Sequence, residues 1–207
     1  NDTNASVTSE AEGKMLQELK QKVTEEITVE RIGRALSQRF ADEQRRELTA
    51  WESSQASGRL IKIAASPAVY YLGGDGRRYV FPNEKTFRSW FPVTPAIRVI
   101  SRDEMARYQL GGNVTYRPGV RMLKIQTDPK IYAVSRNGLL RHVSSEAVAE
   151  ALYGHAWNTM IDDISEAFFI NYRVGPAIQT VFDYEPASER NRVPTIDHDK
   201  NLLPSGT

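Results

Sequence analysis

The chain has 207 residues, of which 40% are hydrophobic and 26% charged, the composition of a globular protein with one or two domains. No apolar run approaches the roughly 18 residues that a transmembrane helix needs. The absence of cysteine excludes disulfides, thiolate catalysis and cysteine-ligated metals. The first residues carry no signal-peptide pattern, so we expect any such peptide to have been removed already.

The charge is unevenly distributed along the chain. Residues 10–57 hold eight basic and ten acidic side chains, residues 58–175 hold sixteen and ten, and residues 176–207 hold three and five. The basic middle favours polyanions such as wall polymers, or an acidic tail of the same or a neighbouring subunit, although an ordinary solvated surface also explains it. Nucleic acid is not an expected partner, because no nucleic-acid-binding motif or basic run is present.

The N-terminal part, residues 1–57, is predicted to be a polar tail followed by helices. Ser9 and Glu12 fit a capping box, and an apolar stripe then runs across about 10–52 at three- and four-residue spacing. The stripe packs either in a core or against another copy of the chain. The assembly candidates in it are Leu16, Leu19 and Val23.

From residue 58 the chain repeats itself, as unit 1 (58–118) and unit 2 (119–175). At an offset of 62, Lys62 matches Lys124, Pro67 matches Pro129, and Tyr70 matches Tyr132. Tyr116-Arg117-Pro118-Gly119 similarly resembles Tyr172-Arg173-Val174-Gly175, which predicts a closing strand in each unit. These matches indicate an internal duplication.

Each unit is predicted to contain a β-hairpin and helices. The expected strands are 60–63, 68–72 and 77–81 in unit 1, and 122–125, 130–134 and 139–143 in unit 2. Asp75-Gly76 and Asn137-Gly138 are turn dipeptides, and helices are expected over 84–91 and 145–153. Two further capping boxes, Ser101 with Glu104 and Asp163 with Glu166, predict short helices. The fold class is therefore α+β, with N-terminal helices before two hairpin-plus-helix units.

The units are rich in aromatic residues, which fits core packing or a surface that stacks on sugar rings. Strand alternation places Tyr70 and Tyr71 on opposite faces, so Tyr71 becomes a candidate for exposure if Tyr70 faces the core. The candidate ligand surface comprises Tyr71, Trp90, Arg77, Arg78 and Arg88.

The segments Tyr79–Thr86 and Gly111–Lys130 carry a resemblance to a known repeat. Residues 58–175 resemble an uncharacterised tandem repeat of predicted secreted and cell-surface bacterial proteins. The resemblance implies an extracellular or surface location, and it implies no catalytic residue.

Catalytic and metal-binding patterns are weak. No histidine pair has ligand spacing, and Asp197-His198-Asp199 is interpreted as a solvated tail rather than a cation site. Glu84 and Glu146 hold matching positions, but each is explained by a place in the first turn of a helix. We therefore predict no enzyme activity, no cofactor and no metal. Asn4 and Asn113 begin glycosylation sequons.

The C-terminal residues 176–207 are predicted to be an extended, acidic tail that mediates assembly. Its β-capable assembly candidates are Ile178, Val181, Phe182 and Tyr184. The leading hypothesis is a non-enzymatic, self-assembling subunit of an extracellular filament, layer or appendage. The alternative is a module that binds a cell-wall polymer or glycan.

Overall fold

The computed structural model describes residues 59–125 and 127–202, together with 14–22, 28, 31–35, 38–39 and 42. The chain divides into two compact parts, Asn1–Leu48 and Thr49–Thr207. All of the described residues in the first part are helical and exposed. Val23 lies outside the described residues. In the described part of the chain no helix is long and apolar enough to cross a membrane.

Repeat unit 1 is a five-stranded sheet with two helices. Its elements are β1 (Leu60–Ile63), β2 (Tyr70–Leu72), β3 (Arg78–Val80), α1 (Glu84–Trp90), β4 (Arg98–Ile100), α2 (Arg102–Arg107) and β5 (Leu110–Asn113). The strand order is β4-β1-β2-β3-β5, with the central strands antiparallel and each outer strand parallel to its neighbour.

Repeat unit 2 has the same architecture. Its elements are β6 (Met122–Ile125), β7 (Asp128–Ser135), a 3₁₀ turn (Arg136–Gly138), β8 (Leu139–His142), α3 (Glu146–Tyr153), a second 3₁₀ turn (Trp157–Met160), β9 (Ile161–Ile164), α4 (Glu166–Phe169) and β10 (Arg173–Val174). The sheet order β9-β6-β7-β8-β10 reproduces that of unit 1 strand for strand. The α+β class is confirmed, and the two sheets fit the predicted repeat.

Side-chain alternation buries both faces of each sheet. In unit 1, Leu60 and Tyr71 pack with α1, whereas Ile61 packs with Met105 of α2 on the opposite face. In unit 2, Met122 and Ala133 pack with α3, and Leu123 packs on the α4 side. A sheet covered on both sides leaves neither Tyr70 nor Tyr71 fully exposed, so the predicted exposure of Tyr71 is wrong.

Local capping signals set the helix starts. The side chains of Asn83, Ser101 and Ser145 accept hydrogen bonds from backbone N–H groups at the third position of α1, α2 and α3. The predicted cap Asp163 is wrong, because it lies in β9 and Ser165 caps α4 instead.

The closing strand of unit 1 lies earlier than predicted. Val114 N donates to Val80 O at 2.9 Å, and Ile178 N donates to His142 O at 2.8 Å, so the two contacts are equivalent. Val80 and His142 are 62 residues apart, whereas Val114 and Ile178 are 64 apart. Tyr116 to Gly119 is therefore not the structural counterpart of Tyr172 to Gly175.

The C-terminal segment, residues 176–202, packs on its own chain. It contains α5 (Pro186–Arg192) and α6 (Ile196–Lys200), so the predicted extended conformation is wrong. Ile178, Val193 and Ile196 are at most 1% exposed. Val193 and Ile196 complete the core of unit 1, and Ile178 and Tyr184 complete that of unit 2.

Candidate functional site

Two clefts occupy equivalent positions in the repeat units. Cleft 1 has a volume of about 710 Å³ and is lined by Pro67, Ala68, Val69, Val80, Phe81, Pro82, Asn83, Glu84, Phe87, Asn113 and Phe168. Cleft 2 has about 270 Å³ and is lined by Pro129, Lys130, Ile131, His142, Val143, Ser145, Glu146, Ala149 and Trp157. Eight of the nine residues lining cleft 2, all except Trp157, are the partners of cleft 1 residues at the offset of 62. The duplication therefore repeats a concave surface as well as a sheet.

The position of each cleft follows from the fold. A proline precedes β2 and another lies near the start of β7. The chain then returns along β3 or β8 and turns into a helix at Asn83 or Ser145. The groove lies beside the hairpin, at the N-terminal end of that helix. Proline cannot donate to a strand partner, which fits its place before β2 in unit 1 and near the start of β7 in unit 2.

Cleft 1 is mainly apolar. Phe81 and Phe87 pack edge to face at a centroid distance of 5.1 Å on its floor, and Phe168 of unit 2 forms part of its wall. Its polar groups are already engaged: the Asn113 side-chain amide donates to Asn171 Oδ1 at 3.0 Å, and Glu84 pairs with Arg88 at 2.8 Å. The same Asn113 amide begins the second glycosylation sequon.

Cleft 2 is polar at the matching positions. Lys130 replaces Ala68, and His142 replaces Val80, while the glutamate is retained. The His142 ring lies 5.9 Å from the ring of Tyr132. The hydroxyl of Tyr132 donates to Asp128 at 2.9 Å, and the backbone N–H of Lys130 is the main cause of a lowered pKa at Asp128. Trp157 is half-buried against the core of unit 2.

The residues of the candidate ligand surface do not form one surface in the structure. Tyr71 and Trp90 are each 3% exposed. The Tyr71 hydroxyl donates to Asp197, and the Trp90 indole N–H donates to the carbonyl oxygen of Thr115 at 2.8 Å. Both aromatic candidates therefore belong to the core.

The three arginine candidates lie at separate positions and make different contacts. Arg77 is exposed at the hairpin, and Arg78 stacks on Tyr70 at 5.3 Å. Arg88 pairs with Glu84 on the surface of α1. None of the three lines either cleft.

The assembly candidates divide into exposed and buried groups. Leu16 and Leu19 are 56% and 55% exposed, and Phe182 is 95% exposed. Val181 is also exposed, whereas Ile178 and Tyr184 are buried within their own chain. The Tyr184 hydroxyl donates to the carbonyl oxygen of Val134 at 2.8 Å.

Asp197 and Asp199 are buried anchors rather than part of a solvated tail. Asp197 accepts hydrogen bonds from the Tyr71 hydroxyl at 3.0 Å and from the backbone N–H of Gly74 at 2.9 Å, and it pairs with Arg59. Asp199 accepts from the backbone N–H of Asn137 at 2.8 Å. Helix α6 thus holds the hairpin turn of each repeat unit with one carboxylate.

Burial affects the ionisation of α6. It raises the pKa of Asp199, against the lowering effect of the hydrogen bond from Asn137. It also lowers the pKa of Lys200, whose Nζ lies 5.8 Å from the Tyr79 ring centroid. Desolvation of the two charged groups accounts for both pKa shifts, so neither shift requires a catalytic role.

The other acidic candidates are also structural. Asp162 is 6% exposed and pairs with Lys85 of unit 1 at 3.0 Å and with Arg121, so it joins the two units. Glu84 and Glu146 line different clefts and do not face each other across either one. Among the described residues, no group of three histidine, aspartate or glutamate side chains is placed to hold a metal.

Comparison with protein-family models, curated proteins and solved structures finds no match to this chain. The two clefts are therefore the features of the molecule that bear on its function. Sequence reasoning did not identify them, although the offset of 62 already aligned Pro67 with Pro129 and Glu84 with Glu146. The missing information was that these residues surround a concavity.

Proposed function

We propose that the chain is a non-enzymatic binding module of the cell surface, with one ligand cleft in each repeat unit. The observation that carries the proposal is the equivalence of clefts 1 and 2, which share position, strands and a glutamate. Two clefts in one compact unit can hold different groups of the same polymer, which raises the apparent affinity without tight binding at either cleft, because the second contact is intramolecular. The resemblance of residues 58–175 to a surface repeat supports the location.

The binding-module hypothesis is favoured over self-assembly through the C-terminal segment. Extended tails that add to a neighbouring sheet need free apolar side chains and free backbone groups. Ile178 uses its side chain in the core and its N–H on His142 of the same chain. The geometry therefore supports an internal role for that segment.

The test is co-sedimentation with isolated bacterial cell-wall material. Ala68→Trp and Lys130→Trp place a bulky side chain in cleft 1 and cleft 2 at equivalent positions, and neither residue is fully buried. We expect each variant to reduce pelleting, and the double variant to abolish it. Arg107→Trp, at an exposed site outside both clefts, is the matched control and keeps full pelleting. A folded double variant that pellets like the unmodified chain contradicts the proposal.

Self-association is a second candidate function because one aromatic residue, Phe182, is exposed on a hydrogen-bonded loop. Phe182 is 95% exposed at a loop whose Asp183 carboxylate accepts hydrogen bonds from the backbone N–H groups of Gln179 at 2.9 Å and Thr180 at 2.8 Å. An exposed aromatic on an ordered loop is typical of an interface anchor. Sedimentation without wall material tests it: Phe182→Ser should convert any polymer to monomers. A truncation of residues 176–207 cannot test self-association, because it also removes core residues.

A further inference from the structure

We infer that cleft 2 binds a neutral sugar ring, a ligand class that cleft 1 does not accept. The inference rests on the proposed binding function and assigns it a chemical class. It follows from what lines the two clefts at equivalent positions.

Cleft 2 has the size of a single-ring site. Its volume of about 270 Å³ lies just below the roughly 300–1,000 Å³ of pockets for drug-sized ligands. Trp157, half-buried, supplies a fixed aromatic wall, since its other side packs on the core of unit 2. A fixed indole offers a large apolar face at little cost in side-chain entropy, which suits the C–H face of a pyranose.

The polar groups of cleft 2 match hydroxyl groups rather than an ion. Lys130 can only donate hydrogen bonds, Glu146 can only accept them when ionised, and His142 can do either. Asp128 stands beside Lys130, whose backbone N–H donates to its carboxylate at 3.0 Å and whose charge also helps to lower its pKa. The positive charge of Lys130 is therefore offset by the carboxylates of Asp128 and Glu146, and an anionic ligand gains no net attraction. Sugar hydroxyls, which donate and accept, use both kinds of group.

Cleft 1 lacks this chemistry at the same places. Ala68 and Val80 stand where Lys130 and His142 stand in cleft 2, and Phe87 fills the position of Ala149. Its glutamate is engaged by Arg88. A sugar ring in cleft 1 would leave its hydroxyls without partners, which is costly in an apolar site.

The experiment is a titration of the full chain with cellotetraose and chitotetraose, followed by ¹⁹F NMR of fluorotryptophan-labelled protein. The indole of Trp157 should shift on binding of one or both sugars, while the buried Trp90 in unit 1 should not. Oligogalacturonate, the anionic probe, should bind at least about tenfold more weakly, a difference of about 1.4 kcal/mol. Tighter binding of that anion, or no Trp157 shift with either neutral sugar, overturns the inference.

Variants distinguish binding at cleft 2 from non-specific binding elsewhere on the surface. Lys130→Ala and Glu146→Gln change exposed side chains, so the fold should be kept, and together they should weaken sugar binding about tenfold. Trp157→Ala should do the same or more. Phe182→Ala is the matched aromatic control, exposed and outside the cleft, and should leave affinity unchanged. Equal weakening by Phe182→Ala overturns the inference.

The two proposals fail in different ways. If cleft-filling variants abolish wall pelleting but no sugar moves the Trp157 signal, the binding function stands and the ligand class is wrong. If sugars bind cleft 2 while the double cleft-filling variant still pellets with wall material, the site is correct and the proposed function is wrong.

Discussion

Removal of the Asp197 carboxylate tests whether α6 is anchored to repeat unit 1. Asp197 is 3% exposed and lies 126 residues from Tyr71 in sequence, so its contacts are tertiary. Asp197→Ala leaves the Tyr71 hydroxyl and the Gly74 N–H without their acceptor. It also leaves the partly exposed Arg59 guanidinium without its partner.

The magnitude follows from these three donors. A hydrogen bond to a charged group contributes about 1.5–3 kcal/mol, so the bonds from the buried Tyr71 hydroxyl and the part-buried Gly74 N–H together account for about 3 kcal/mol. The side chain of Arg59 is 41% exposed, so its ion pair adds at most about 1 kcal/mol after solvent screening. We therefore expect Asp197→Ala to lower the free energy of unfolding by about 3–4 kcal/mol, a large share of the roughly 5–15 kcal/mol that stabilises a domain.

Equilibrium unfolding in urea measures this loss, with the slope m checked against the unmodified chain. Asp103→Ala removes an exposed acid from the first turn of α2 and should change stability by less than about 1 kcal/mol. A double-mutant cycle with Tyr71→Phe should give a coupling energy of about 1–2 kcal/mol. A loss below about 1 kcal/mol for Asp197→Ala would refute the anchoring role of α6.

Three further perturbations test the same packing. Asp199→Asn should cost less stability than Asp197→Ala in urea unfolding at pH 7, because burial raises the pKa of Asp199 and so disfavours its charge, and the amide oxygen can still accept the hydrogen bond from the backbone N–H of Asn137; a loss as large as that of Asp197→Ala would contradict this. Burial raises the pKa of Tyr79 and of Tyr132 to about 12, so above pH 10 the unfolded chain loses protons that the native chain keeps, and stability should fall between pH 10 and pH 12. Urea midpoints that stay constant from pH 9 to pH 12 would count against it. Gly119→Ala should destabilise by several kcal/mol, since its Cβ would stand 1.9 Å from a backbone oxygen of the C-terminal segment at a φ of +68°. Gly154→Ala, at a φ of +84° with no atom within 4 Å of its Cβ, should cost only about 1 kcal/mol, and equal melting temperatures for the two variants would contradict the packing argument.

Local signals in the sequence predicted the parts of the fold that local physics determines. The helix predicted from the capping box at Ser101 is confirmed, and the helices expected over 84–91 and 145–153 are found at Glu84–Trp90 and Glu146–Tyr153, because in each case a capping side chain accepts a hydrogen bond from a backbone N–H three residues ahead. The turn at Asn137-Gly138 was also correct, with φ of 59° and 64°. These features need no distant partner.

The errors lie where distant residues decide the outcome. The outer strands β4 and β9 are short and were not predicted, because each exists only through parallel pairing with β1 or β6. Tyr71 can be buried because Asp197, far along the chain, accepts a hydrogen bond from its hydroxyl. The clefts arise from strand ends and a helix start that come together in space, so no single motif announces them.

The burial of Ile178, Val193 and Ile196 in the cores of both repeat units has a consequence for biosynthesis. Repeat unit 2 cannot complete its core on the ribosome before Tyr184 has emerged, and repeat unit 1 cannot do so before Ile196 has emerged, so folding to the native state must follow synthesis of this region. Unit 1, although it is synthesised first, therefore completes its core last.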